Sequence, residues 1–149
     1  TDPRPAFVEK LLACCAGEGS VVVYNQGFEK RINNELARDF PQYASDLQAL
    51  NARIVDLYAP FGKRHIYSPE QQSSASIKAV LPTYVPHLSY EGLSINNGGD
   101  ASELYLDFVL NGMQDDEAEQ LWADLLEYCQ LDTYAMVELL RVVREYAKG

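Results

Sequence analysis

The stretch at residues 20–33, "SVVVYNQGFEKRIN", decides how this chain is read. Three valines in succession suit a short strand buried on both faces. Asn25 and Gly27 break the run. From Phe28 the apolar residues recur every four positions, at Ile32 and Leu36, which predicts a helix to about Asp39. A strand that feeds a helix through so tight a turn is the opening of an α/β unit. The same geometry sets a carboxylate, Glu29, about one helical turn beyond the strand. Such an acid either complements the positive end of the helix dipole or is aimed into a site.

The neighbouring segments extend the α/β reading. Phe7, Val8, Leu11, Leu12 and Cys15 have helical spacing within residues 5–16, and Gly17-Glu18-Gly19 ends that element. Residues 43–52 read as a second, shorter helix, and "RIVDLY" at 53–58 is the other strand candidate. Pro60, Gly62, Pro69 and a Ser/Gln cluster predict a loop over 59–75. A short helix at about 74–81 is closed by Pro82 and Pro86. "SINNGGDAS" is a strong turn signal, and two helical stretches follow, at 102–111 and 115–147. The longer one reads as two helices meeting near Cys129–Asp132. Two strands do not make a stable sheet by themselves. With Thr1 in place of an initiating methionine, this leads to the expectation that the chain is a piece of a longer protein, with strands missing on its N-terminal side.

Composition bounds the alternatives. The 149 residues suffice for one domain, or part of one, and 47% hydrophobic residues provide a packed core rather than a disordered chain. A net charge of −10 argues against non-specific binding to nucleic acid through basic residues. It leaves open an enzyme that meets nucleic acid through metals held on carboxylates. The three cysteines form no C-x-x-C pair and predict free, mostly buried thiols in a reducing cytoplasm. No apolar run reaches the roughly 18 residues of a membrane span, so no membrane partner is expected.

A second stretch, "LLEYCQLDTYAMVELL" at 125–140, carries the chemistry. Tyr128 and Asp132 are four apart and share one face of a helix. A carboxylate there can bind a cation while the phenol orients a water. Against this, Asp132 would serve as the N-cap of a last helix and Tyr128 as a core-edge aromatic. Asn25 suits a helix cap or a substrate contact, and Phe28 reads as core, one turn from Ile32. Asp56 reads as an acid capping the next turn. Asp100, Glu103 and Asp107 read as a solvated helix face, and Asp115, Asp116, Glu117 and Glu119 as dipole-complementing acids. His65 and His87 lack metal-spaced partners. Lys63, Arg64 and Lys78 form a small basic set, and Trp122 reads as core among Leu121, Leu125 and Leu126.

In that order, "VVVYNQGFEKR", "RIVDL", "SIKAVLP" and "YCQLDTYAM" resemble the bacterial domain-of-unknown-function family 2779. That family is similar to the DnaQ-like, ribonuclease-H-fold 3′–5′ exonucleases of the DEDDy type. The resemblance implies the helix-rich C-terminal portion of a ribonuclease-H-like fold. It implies phosphodiester hydrolysis with Mg²⁺ or Mn²⁺ on single-stranded or 3′ ends of nucleic acid. Asn25, Phe28 and Glu29 fall on the second motif of those enzymes, with Asn25 and Phe28 toward substrate and Glu29 as catalytic residue and metal ligand. Tyr128 and Asp132 fall on the third, Asp132 as metal ligand and Tyr128 as the orienter of the attacking water. Glu29 stands where the wider superfamily has Asp. The first motif, D-x-E on a strand, has no counterpart here, since only Asp2, Glu9 and Glu18 precede the valine strand. The expectation is therefore half of a two-metal site, with no activity and at most weak metal binding by these residues alone; an exposed strand edge leaves a dimer open. The alternative is a non-catalytic ribonuclease-H-like interaction module of a larger nucleic-acid-processing protein.

Overall fold

A computed structural model describes residues 2–149. The contacts within the chain gather into two compact units, one running to His65 and one over Ile66–Gly149.

The first unit is built on the valine strand. β1 (Val21–Val23) pairs in parallel with β2 (Ile54–Asp56), in the register Val21 to Ile54, Val22 to Val55 and Val23 to Asp56. Parallel strands need a crossover. Here it is made by α2 (Gln26–Asp39), a 3₁₀ turn (Pro41–Tyr43) and α3 (Ala44–Ala52). α1 (Arg4–Cys14) precedes β1, and α4 (Tyr58–Gly62) follows β2 within the segment read from sequence as a loop. Val8, Leu36 and Leu47 form the buried core, with Leu11, Leu12, Ile32 and Phe40 packed against them. Val8, Leu11, Leu12, Ile32 and Leu36 are among the apolar positions that the periodicity of α1 and α2 picks out, whereas Phe7, also picked out, is exposed.

Polar side chains tie the elements where backbone groups would otherwise lack partners. The Arg53 guanidinium donates to the carbonyls of Cys15 and Gly19, both at 2.8 Å, and so fixes the exit of α1. Asn33, buried on α2, donates to the Asn51 side-chain oxygen of α3 at 2.8 Å. Its polar atoms thereby keep a partner when water is excluded.

The second unit is helical. It comprises a 3₁₀ turn (Pro69–Gln71), α5 (Ile77–Tyr84), α6 (Gly98–Asn111) and α7 (Asp115–Tyr146). Val80, Leu81, Val85, Tyr90, Ile95, Leu121, Ala135 and Leu139 are buried. Gln71 is 1% exposed and both of its polar atoms have partners: its oxygen accepts from the Ser68 N–H and the Tyr84 hydroxyl, and its amide donates to the Ser74 carbonyl. Pro82 lies inside α5 rather than ending it.

Several expectations are corrected. α7 is one helix of 32 residues, not two. No Gly or Pro interrupts it, and the only polar run at its middle, Gln130 to Thr133, is absorbed as the Thr133 hydroxyl bonds back to the Cys129 carbonyl at 3.0 Å. Asp132 is thus not an N-cap. Trp122 is 45% exposed, its ring set edge-on against Tyr105 and Phe108 of α6. Phe28 is 51% exposed rather than core, and the Arg31 guanidinium lies over its ring. The thiols are free, but Cys14 and Cys129 are exposed. Among the described residues, no helix is long and apolar enough to cross a membrane.

Candidate functional site

The sequence-derived residues fall into two groups, one in each unit. The first lies at the β1–α2 turn. Asn25 adopts the left-handed conformation, with φ 70° and ψ 74°, and its side chain makes no capping bond. The cap is supplied from β2 instead. The Asp56 carboxylate accepts from the Asn25 N–H at 2.9 Å, the Gln26 N–H at 3.1 Å and the Tyr58 N–H at 3.0 Å. Because Val23 is paired with Asp56, the acid at the end of one strand reaches the helix start at the end of the other. Sequence reading gave Asp56 only its own next turn.

This arrangement holds the turn so that Phe28 and Glu29 stand on the first turn of α2. Glu29 is half-buried and Phe28 presents its ring to solvent. Tyr24 and Tyr58 meet edge to face beneath the turn, with centroids 5.8 Å apart. Burial, the Tyr58 ring and the Asp56 charge together hold the Tyr24 phenol well above its ordinary range. It is a neutral, structural tyrosine.

The left-handed backbone at Asn25 gives a direct prediction. An Asn25→Gly protein keeps its stability to within about 0.5 kcal/mol, whereas Asn25→Ala loses about 1 kcal/mol because alanine strains at positive φ. Urea titration of both variants measures this; equal losses would mean that the Asn25 side chain, not its backbone, holds the turn.

The second group is on α7. Tyr128 and Asp132 lie one turn apart on its inner side, and a third residue joins them. The buried Tyr90 hydroxyl donates to Asp132 Oδ1 at 2.6 Å, and its ring lies 6.1 Å from that of Tyr128, tilted by 55°. A Cβ added at Gly98, the first residue of α6, would come within 3.6 Å of the Tyr128 hydroxyl. The tyrosine tip therefore meets bare backbone at the start of a helix. Burial chiefly, and then the charge and hydrogen bonding of Asp132, push the Tyr128 phenol up to about 12. A phenol beside a carboxylate resists becoming a second anion.

Chemically, this cluster offers one carboxylate held in a fixed orientation and one neutral phenol beside it. That suits orienting a water or a polar ligand, and the hard oxygen of Asp132 is of the right type for Mg²⁺ or Mn²⁺. The number of donors is not. Among the described residues no three His, Cys, Asp or Glu side chains converge as a cation site. His65 and His87 are both exposed. Tyr90 was missed from sequence because it sits in a Pro- and Gly-flanked loop, 42 residues before its partner.

A family model described as "Domain of unknown function (DUF2779)" matches residues 1–76, which is half of the chain and includes the whole β1–α2–α3–β2 unit. Among relatives, the uncharacterized protein MG366 homolog of Mycoplasma pneumoniae is 29% identical over 85% of this chain and 21% of its own length. The uncharacterized protein MG366 of Mycoplasma genitalium is 27% identical over 95% of this chain and 23% of its own. The uncharacterized protein UU173 of Ureaplasma parvum is 31% identical over 80% of this chain and 20% of its own. The chain thus spans about a fifth of the length of the curated relatives it matches. No solved structure matches it.

Proposed function

The chain belongs to the DUF2779 family, and from that premise we propose that it is the C-terminal portion of a ribonuclease-H-like domain. In the longer protein that domain acts as a metal-dependent 3′–5′ exonuclease of the DnaQ-like, DEDDy kind. The observation that carries this reading is the Tyr90–Asp132–Tyr128 cluster. A carboxylate held through one oxygen by a buried hydroxyl, with a neutral phenol one turn away, suits the metal-ligand and water-orienting roles that the resemblance gives to Asp132 and Tyr128.

Each residue has a role that its environment supports. Tyr90 orients the Asp132 carboxylate. Asp132 presents a hard oxygen donor. Tyr128, kept protonated, positions a water by hydrogen bonding rather than by taking its proton. Glu29 supplies the second-motif carboxylate, with the turn beneath it braced by Asp56. Asn25 and Phe28 address substrate, the half-exposed Phe28 ring carrying the Arg31 guanidinium on one face and offering the other to a terminal base. Glu29 and Asp132 are each of the right donor type for a divalent cation, and this reading assigns the other carboxylates to a D-x-E strand of the longer protein. The outer edges of the β1–β2 pair offer positions for such strands.

A nuclease assay of the full-length protein on a 3′-labelled oligonucleotide with Mn²⁺ tests this. Activity that is lost in Glu29→Gln supports the reading; equal activity in both, or none in the wild type, overturns it. Residues 1–149 alone are expected to be inactive and to show no tight Mn²⁺ binding by calorimetry, since half the ligands are absent. A second reading, a non-catalytic ribonuclease-H-like interaction module, is favoured by the net charge of −10. A full-length protein that binds no nucleic-acid end would favour it.

A further inference from the structure

The net charge of −10 is not spread over the chain. Residues 1–65 carry eight acids and eight bases, whereas Ile66–Gly149 carries 14 acids and four bases. Between Lys78 and Arg141 there is no Lys or Arg at all, against 12 acids. Surface helices ordinarily intersperse both signs, so one long stretch is left with uncompensated negative charge.

That stretch includes a helix with apolar residues on two opposite sides. One side of α6, Tyr105 and Phe108, packs on Trp122 of α7. Rotated away from it by roughly half a turn stand Leu106 and Leu110, which are 55% and 71% exposed. Glu103, Asp107 and Asp100 border these leucines. Together with Leu104 and Ser94 they line an open groove of about 480 Å³. α6 has no fully buried residue, so its own unit leaves this second apolar side uncovered. An apolar stripe on a helix ordinarily faces a packed neighbour, and the Leu106–Leu110 side has none within its unit.

The geometry points to this groove as a docking site for a basic amphipathic helix. Its apolar stripe covers Leu106 and Leu110, and its Lys and Arg residues meet Asp100, Glu103 and Asp107. The choice of occupant follows from charge. A second copy of the same face would set acids against acids, and like charges brought together at an interface cost several kcal/mol. A neutral helix would cover the leucines but leave the acids unanswered. A basic one satisfies both, with i, i+3, i+4, i+7 anchors of the usual helix-in-groove kind.

The test uses the 149-residue chain and a fluorescently labelled helical peptide of about 18 residues, roughly five turns, with leucines at i, i+3, i+4, i+7 and lysines elsewhere. Anisotropy titration should show binding of this peptide and none of a version with glutamate for every lysine. The double variants Leu106→Ser/Leu110→Ser and Glu103→Lys/Asp107→Lys should each weaken binding roughly tenfold or more. All four positions are exposed, so both variants should keep the wild-type circular dichroism spectrum. Unchanged affinity in the leucine variant would overturn the proposal, because the peptide would then be held by charge alone. Self-association of the wild type in sedimentation, abolished by Leu106→Ser/Leu110→Ser, would equally overturn it in favour of a second copy.

Discussion

Asp56→Ala is expected to lower the stability of the chain by about 2–4 kcal/mol, more than any other exposed or half-exposed substitution in the first unit. The reason is the number of backbone groups that depend on one side chain. The carboxylate accepts three N–H groups, from Asn25, Gln26 and Tyr58, and so serves the first turns of α2 and α4 together. An ordinary cap serves one helix and is worth about 1 kcal/mol. Hydrogen bonds to an ionised acceptor are individually stronger, at about 1.5–3 kcal/mol, but water replaces part of each once the site opens. Asp56→Asn, which keeps one acceptor oxygen and no charge, should fall about midway. Urea unfolding followed by circular dichroism measures both, with Glu18→Ala as a surface control expected within about 0.5 kcal/mol of wild type. If Asp56→Ala matched that control, the carboxylate would not be what closes the β1–α2 turn.

The same residue shows where sequence reading succeeds and where it stops. β1 was legible as a β-branched run between Gly19 and Asn25, and β2 from the β-branched pair Ile54-Val55 that closes on Asp56. α1, α2 and α3 were legible from apolar spacing. That Asp56 caps a helix about 30 residues earlier depends on strand register, which is a property of pairing rather than of local sequence. Phe28 illustrates the converse. Its i, i+4 relation to Ile32 is real, but the two sit on a helix whose first turn overhangs the core, so the ring stays in solvent.

In the second unit the difficulty was continuity. Gln130-Leu131-Asp132-Thr133 has the composition of a helix start, and only the absence of Gly or Pro nearby argues for one uninterrupted helix. Length decided it. With α7 running through, Asp132 turns inward at mid-helix, where a carboxylate must find a donor. The donor is Tyr90, and nothing in "LSYEG" announces it. Motif spacing singled out Tyr128 and Asp132 as candidates, whereas the residue that makes Asp132 tolerable where it stands became visible only in three dimensions.

The largest functional effect is expected at Asp132. On the proposed exonuclease reading, Asp132→Asn in the full-length protein should reduce hydrolysis of a 3′-labelled oligonucleotide by about a thousandfold or more, on the order of 4 kcal/mol of transition-state stabilisation. Asparagine is the informative replacement because its side-chain oxygen can still accept from Tyr90. Alanine would instead strand a buried hydroxyl, at a cost of about 1–3 kcal/mol to the fold. Tyr90→Phe leaves Asp132 charged but unclamped, and as an orienting residue should cost about 10–100-fold in rate. Tyr128 adds a pH criterion. Burial chiefly pushes its phenol up to about 12, above the ordinary value of 10.0, so the folded state holds that proton more tightly than the unfolded one. Its contribution to stability is therefore complete below about pH 10 and is lost as pH rises toward 12. A Tyr128→Phe protein should show a smaller alkaline loss, the shares of Tyr24, Tyr43 and Tyr84 remaining, and on the same reading the wild-type rate should show no limb from this phenol below about pH 10. An alkaline limb near neutrality that disappears in Tyr128→Phe would make the tyrosine a proton acceptor. The role of orienting water through a protonated hydroxyl would then be wrong.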